Sequence, residues 1–257
     1  MKSKILESFE VAVADIPDGA SILLAGFGPG TPHNLIKALY NQGAKELHLI
    51  ANAAGTGSTV ARLGMVTAAQ LIEEGRVGKV TLAFTASTHP SRRSAIEVLE
   101  EAGEIEAELV PQGTLAERIR AGGAGIPAFY TPASVGTELA ESKEHRVFNG
   151  KTYVLEEAIF ADYAFLRAYR ADEFGNLFFR YAQRNFNPIM ATAASISIVE
   201  AEDVIPVGSM EADQIHTSGI YVHRIVKIGP DDILHPTITG APLSAGASEP
   251  RSSGNDA

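Results

Sequence analysis

The chain is predicted to adopt an α/β fold, an open and mostly parallel sheet with helices on both faces plus an added strand-rich layer. Three observations lead there. Apolar runs of strand length alternate with helix-period stretches as far as Arg120, the rhythm of βαβ units. Of the 257 residues 45% are apolar, enough to bury a full core without covalent staples. After Pro132 the alternation loosens and strands dominate.

The elements follow in order. A helical pattern over 6–14 leads to a strand at 21–26, and the turn Gly26-Phe27-Gly28-Pro29-Gly30 carries the chain into a helix over 34–40. The next strand, 47–51, runs into Asn52, which places that amide at a strand's carboxyl end. A helix over 67–74, a strand at 80–84, a helix over 92–101 opening on Arg92 and Arg93, and a strand at 105–110 complete the alternation. Pro111-Gln112-Gly113 then sets Gln112 at the sheet edge where open α/β sheets bind ligands. Thr114 followed three residues on by Glu117 reads as a capping box that starts a helix over 114–120. Gly122, Gly123 and Gly125 are expected to end it and to let backbone approach a ligand, because positive φ costs little there. Strands at 152–155, 163–169, 196–200 and 221–226 either extend the same sheet or pack as a smaller layer. One domain over 1–228 is expected. The segment 229–257, small, polar and rich in Gly, Ser and Pro, is expected to be a disordered tail.

Composition removes several functions. With no cysteine there is no disulfide, thiolate metal site or Cys nucleophile. No run approaches the ~20 apolar residues of a membrane span, and acidic residues interrupt the start before a signal region forms, so no membrane partner and a cytoplasmic location are expected. A net charge of −10 argues against nucleic acid. The seven histidines show no metal spacing, so no metal is expected, and His48, alternating within a strand, reads as a packing residue.

Gly26 through Gly30 lie between a strand and a helix, where backbone amides and a helix N-terminus meet an anion; a purely structural tight turn is the other reading. A dinucleotide would need an acidic residue after the second strand, and Asn52-Ala53 stands there instead. Asn52 either holds a ligand or caps a turn. Arg92 and Arg93 either clamp a carboxylate or a phosphate, or are simply solvated. Arg180, Arg184, Asn185 and Asn187 form a polar cluster that faces either a partner or a substrate.

The stretch PQGTLAERIRAGGAGIPAFYTP at 111–132 closely resembles the A (alpha) chain of two-subunit 3-oxoacid CoA-transferases, and so do DIPDGASILLAGFG at 15–28, the run at 153–177, RNFNPIMATAA at 184–194 and IHTSGIYVHRIV at 215–226. The resemblance reaches about Lys227. It implies that Gly26, Phe27, Gly28, Pro29 and Gly30 belong to the coenzyme A site, that Gln112 is the family's PQG glutamine, and that Asn52 is the first of an adjacent Asn pair. It further implies a partner, the family's B subunit, a heterotetramer or larger assembly, and acyl-CoA (succinyl-CoA or acetyl-CoA) and 3-oxo acid as substrates. In such enzymes a Glu of the B subunit, in a Ser-Glu-Asn-Gly type motif, attacks the thioester. No such tetrapeptide occurs here, so no catalytic nucleophile is expected in this chain.

Three departures stand out. Ala25 replaces the first Gly of the family's GGF, and two residues instead of three separate Phe27 from Gly30. Ala53 replaces the second Asn, and the stretch 85–97 does not resemble the family's GENxEFE. These keep open a thioester hydrolase or lyase subunit on the same fold, or a scaffold subunit without catalysis. A sugar-phosphate isomerase on a related scaffold lacks an acid/base pair.

Overall fold

A computed structural model describes residues 3–26, 28–54, 66–86 and 93–232. Seven parallel strands, β1 (Ser21–Leu24), β2 (Leu47–Ala53), β3 (Val77–Phe84), β4 (Glu106–Leu109), β8 (Ala161–Asp172), β10 (Ala194–Ile205) and β11 (Arg224–Lys227), form the main sheet in the order β11-β10-β8-β1-β2-β3-β4. The short β9 (Leu177–Phe178) adds antiparallel to β8. The chain builds outward from β1 to β4, then crosses back to β8 and builds the other way. The topological switch therefore lies between β1 and β8, where α/β sheets open a crevice at their carboxyl edge.

Helices α1 (Phe9–Val13), α2 (His33–Gln42), α3 (Ala68–Glu73) and α4 (Ala95–Glu101) cover one face through Phe9, Leu35, Leu39, Leu71 and Ile96. Helices α5 (Gln112–Gly123) and α6 (Asn187–Thr192) cover the other through Leu115, Ile119 and Met190. Helix starts follow side-chain chemistry where it is present: Ser8 accepts from the Val11 amide, and Ser94 and Glu97 close a reciprocal capping box. The predicted helix over 92–101 accordingly begins later, at Ala95.

Of the later strands, those at 163–169, 196–200 and 221–226 extend the main sheet as β8, β10 and β11. The last begins only at Arg224, after a 3-10 turn at Gly219–Tyr221. The separate layer is a three-stranded antiparallel sheet of β5 (Ala128–Thr131), β7 (Lys151–Glu157) and β6 (His145–Phe148), and the run at 152–155 belongs to it. No helix among the described residues is long and apolar enough to cross a membrane. Of the expected tail, all beyond Asp232 lies outside the described residues.

The segment after β4 differs from expectation. Helix α5 starts at Gln112, directly after Pro111, whose φ of −52° already suits the turn into a helix. Thr114 is therefore inside the first turn, buried and without a hydrogen-bond partner at its Oγ1, and Glu117 pairs with Arg120 at 2.6 Å instead of reaching back. The capping box does not form. Gly125, at φ 70° just past the Ala124 cap, ends the helix as expected, while Gly122 and Gly123 still lie inside it. They let it press against its neighbours: a Cβ at Gly122 would lie 1.9 Å from the Ile159 carbonyl oxygen, and one at Gly123 2.1 Å from Thr192 Oγ1. Protein approaches the backbone of Gly122 and Gly123, and of the three glycines Gly125 alone has positive φ.

Candidate functional site

The site is assembled at the carboxyl edge of the sheet, on both sides of the switch. Ala25 follows β1 with its amide on the Phe165 carbonyl of β8, 3.1 Å away, and the chain then leaves the sheet as the glycine loop. Gly26 (φ 106°) and Gly30 (φ 88°) hold left-handed conformations, and neither tolerates a Cβ: it would lie 2.5 Å from Thr31 Cα at Gly26, and 2.5 Å from the Gln183 carbonyl oxygen at Gly30. Thr31 Oγ1 donates to the Gly28 carbonyl at 2.8 Å. Phe27 lies outside the described residues.

The polar cluster seen in the sequence divides. Asn185 Nδ2 donates to the Pro29 carbonyl (2.7 Å) and Asn187 Nδ2 to those of Gly30 (3.2 Å) and Gln183 (2.9 Å). These two asparagines hold the loop. Asn187 is fully buried, and its Oδ1 accepts from the Arg167 backbone amide of β8, just past the point where short β1 stops pairing with that strand. Arg180 pairs with Glu202 at 3.7 Å and lies over the Tyr169 ring, and Arg184 ends a 3-10 turn at Tyr181–Arg184.

Helix α2 follows the loop, with Pro32 at its cap position offering no side-chain cap. The N-terminus is closed from a distance: Glu200 Oε2 of β10 accepts from the amides of Asn34 (2.9 Å) and Leu35 (3.1 Å), and its Oε1 from Arg167 (2.8 Å). The expectation that this helix end is open to an anion is therefore corrected, because an internal carboxylate already occupies it. Burial pushes the Glu200 carboxyl up to about 7, against the downward pull of Arg167 and the two amides. Glu200 and Arg167 face each other in register on adjacent strands, both with fully buried side chains. A sequence signal existed. Phe165-x-Arg167 and Ile198-x-Glu200 put a charge at the core-facing step of an apolar alternation.

Across β1, the register pairs Leu24 with Ala51, which sets the start of the glycine loop beside Asn52. Asn52 is buried, 3% exposed, and its Oδ1 accepts from Gln112 Nε2 at 2.5 Å. Since β3 lies between β2 and β4, this hydrogen bond joins elements on either side of it, and the two amides converge over one edge as expected. Oδ1 is engaged in this way, and the NH2 group carries the donor capacity of the Asn52 side chain.

Arg93 donates to the Glu97 carbonyl (2.9 Å) and pairs with Glu101 (2.7 Å), contacts along the helix α4 that follows it, while Arg92 lies outside the described residues. His48 is more than packing. Thr81 donates its hydroxyl to Glu108 at 3.0 Å and therefore accepts from His48 Nε2 at 2.9 Å, and Arg118 in turn pairs with Glu108. Burial, followed by Lys79, lowers the His48 pKa below its ordinary value. Among the described residues no group of three or more His, Cys, Asp or Glu is placed to hold a metal.

Comparison with known proteins follows the same lines. A family described as Coenzyme A transferase matches residues 6–228. The A chain of the Helicobacter pylori (strain J99) succinyl-CoA:3-ketoacid coenzyme A transferase is 42% identical over 226 residues, covering 88% of this chain and 92% of that one. The A chain of the Pseudomonas putida 3-oxoadipate CoA-transferase is 43% identical over 229 residues, covering 89% and 95%. An acyl-CoA transferase of E. coli O157:H7, solved as a thioester complex with CoA, superposes with a TM-score of 0.74 at 23% identity. That match covers 90% of this chain and 48% of the E. coli chain, and the likeness is one of fold.

Proposed function

The chain belongs to the coenzyme A transferase family, and on that premise we propose that it is the A (alpha) component of a two-subunit enzyme moving CoA between an acyl-CoA and a 3-oxo acid. Succinyl-CoA or acetyl-CoA is the donor. The partner, the family's B subunit, supplies the nucleophilic Glu, and the two chains form a heterotetramer or larger assembly in the cytoplasm. The observation that carries this reading is the Gln112–Asn52 hydrogen bond, made at the carboxyl edge of the sheet beside a glycine loop at the topological switch. An amide pair in that place orients an acyl group and donates to its oxygen. The reactive carboxylate must come from elsewhere, since no Ser-Glu-Asn-Gly motif occurs here.

In the proposed reaction the partner's Glu attacks the donor thioester carbonyl. The C–S bond breaks, CoA leaves as thiolate, and an acyl anhydride remains. The thiolate returns to the glutamyl carbonyl, releasing the donor acid and leaving an enzyme thioester, and the 3-oxo acid carboxylate then reverses these steps. Asn52 Nδ2 donates to the oxyanion that forms at each attack, with Gln112 holding that amide in orientation. Residues Gly26 to Gly30 receive CoA on the loop's own backbone, because Glu200 has taken the helix end.

The test is to copurify the chain with its cognate B subunit, then measure CoA exchange over a series of 3-oxo acids. Asn52→Ala is expected to lower kcat by roughly 10²-fold while the complex still assembles. A folded complex that exchanges CoA with none of the acids would refute the reading. Ala53 and Ala25 favour one alternative, a thioester hydrolase or lyase. Release of free acid without an acceptor is its signature.

A further inference from the structure

The loop's conformation is set by a buried polar chain that starts two strands away. Helix α2 has no local cap, and Glu200, 166 residues on, replaces it. Both Glu200 oxygens are acceptors: Oε2 for the amides of Asn34 and Leu35, Oε1 for Arg167 and, at 3.4 Å, Asn34 Nδ2. The backbone amide of Arg167 in turn holds Asn187 Oδ1, and Asn187 Nδ2 holds the Gly30 carbonyl. The loop is thus tied at its start by β8, at Pro29 and Gly30 by two asparagines, and at its end by a carboxylate.

We propose that the buried Glu200–Arg167–Asn187 chain positions the loop residues Gly28 to Gly30 for CoA, with Glu200 a positioning residue that must be ionised to do so. The CoA part rests on the function proposed above. Stability alone does not account for such a chain, because a buried ion pair is weak support for a fold and an apolar pair of like volume often serves as well. A protonated carboxyl would turn one oxygen into a donor facing other donors, and one of the four contacts would open. The groups around Glu200 are accounted for element by element. Arg167 faces it from β8, and from α2 come the Asn34 and Leu35 amides, with buried His33 directing Nδ1 to the Val66 carbonyl. On β10 Glu202 meets Arg167 at 3.4 Å and is paired with Arg180, and from β11 the register neighbour is apolar Val226. Burial holds Glu200 near the pH range in which cells work, so proton uptake is within physiological reach.

The experiment compares wild type, Glu200→Gln and Asn187→Ala, each assembled with the cognate B subunit. Amide hydrogen exchange is read at residues 28–36, and the affinity for CoA itself is read by calorimetry at pH 6, 7 and 8. Glu200→Gln is expected to speed exchange at 28–36 selectively and to weaken CoA about ten-fold at pH 8. Wild type is expected to weaken as pH falls toward 6, by more than Glu200→Gln does, since that variant has no proton to take up. Asn187→Ala cuts the tether without touching the ion pair, so it weakens CoA but keeps the wild-type pH response. Unchanged exchange at 28–36 in both variants overturns the proposal, as does exchange raised evenly over the whole chain. Loosening at 28–36 in a complex whose wild type binds no CoA leaves the positioning chain standing and removes the CoA reading instead.

Discussion

Replacing Gly122 by Ala sets two effects of opposite sign against each other. In a helix, Ala is favoured over Gly by at most ~1 kcal/mol, and propensity alone predicts a gain. The added Cβ, however, would lie 1.9 Å from the Ile159 carbonyl oxygen and 2.7 Å from its carbon, both backbone atoms that cannot rotate away. Helix α5 would have to retreat by roughly 1 Å or more, and overpacking of this kind costs ~1–3 kcal/mol, at the upper end when backbone must move. The net is a loss of about 2 kcal/mol, which lowers Tm by about 4–8 °C in a domain of this size. Gly113→Ala is the control: it lies in the same helix with nothing within 4 Å of its Cβ, so Tm should stay level or rise by about 2 °C. Calorimetric scans of both variants decide the matter. If Gly122→Ala rises with Gly113→Ala, the close packing of α5 on the β7–β8 connection is wrong.

Glu200 gives a signed pH dependence. Its folded pKa is raised from 4.5 to about 7, so the stability it contributes is full below the lower value and lost as pH rises through the upper one. Denaturation of wild type and Glu200→Gln from pH 5 to pH 8 should show the variant gaining on wild type, by at most about 3 kcal/mol, and a constant gap would refute this. Glu156 is nearly fully buried and pairs with Lys143 at 2.5 Å, with Arg118 more distant at 3.9 Å. Lys143→Met should therefore cost about 2–3 kcal/mol by urea titration, and adding Glu156→Gln should restore most of it. Gly30→Ala must strain a φ of 88° and displace Gln183 or Asn187, and weakening of CoA by about ten-fold or more in the assembled complex is the expected readout.

Much of the architecture was legible because its signals are local. Alternation of apolar runs located β1 to β4, and the turn residues around Gly26 and Pro111 marked the two loops that carry the candidate site. Asn52 and Gln112 were placed by one rule, that chain leaving the carboxyl end of a parallel strand lines the crevice. The Thr114–Glu117 pair shows the limit of that approach: the spacing was right for a cap, but Pro111 started the helix earlier and burial took Thr114 out of reach of its role. Of the glycines after it, Gly125 ends the helix with positive φ as its type suggested, whereas the small size of Gly122 and Gly123 serves packing against Ile159 and Thr192.

By itself the sequence determined the α/β class, the lack of any cysteine chemistry, the two amides at the sheet edge and the absence of the expected nucleophile motif. Only the tertiary structure decided that α2 is capped by Glu200, that Asn187 tethers Gly30, and that three of the later strands join the main sheet. The reason is physical. Periodicity, turns and caps act over a few residues, whereas a carboxylate meets a helix end 166 residues away only after the sheet has brought β10 and β8 side by side and removed the water between them.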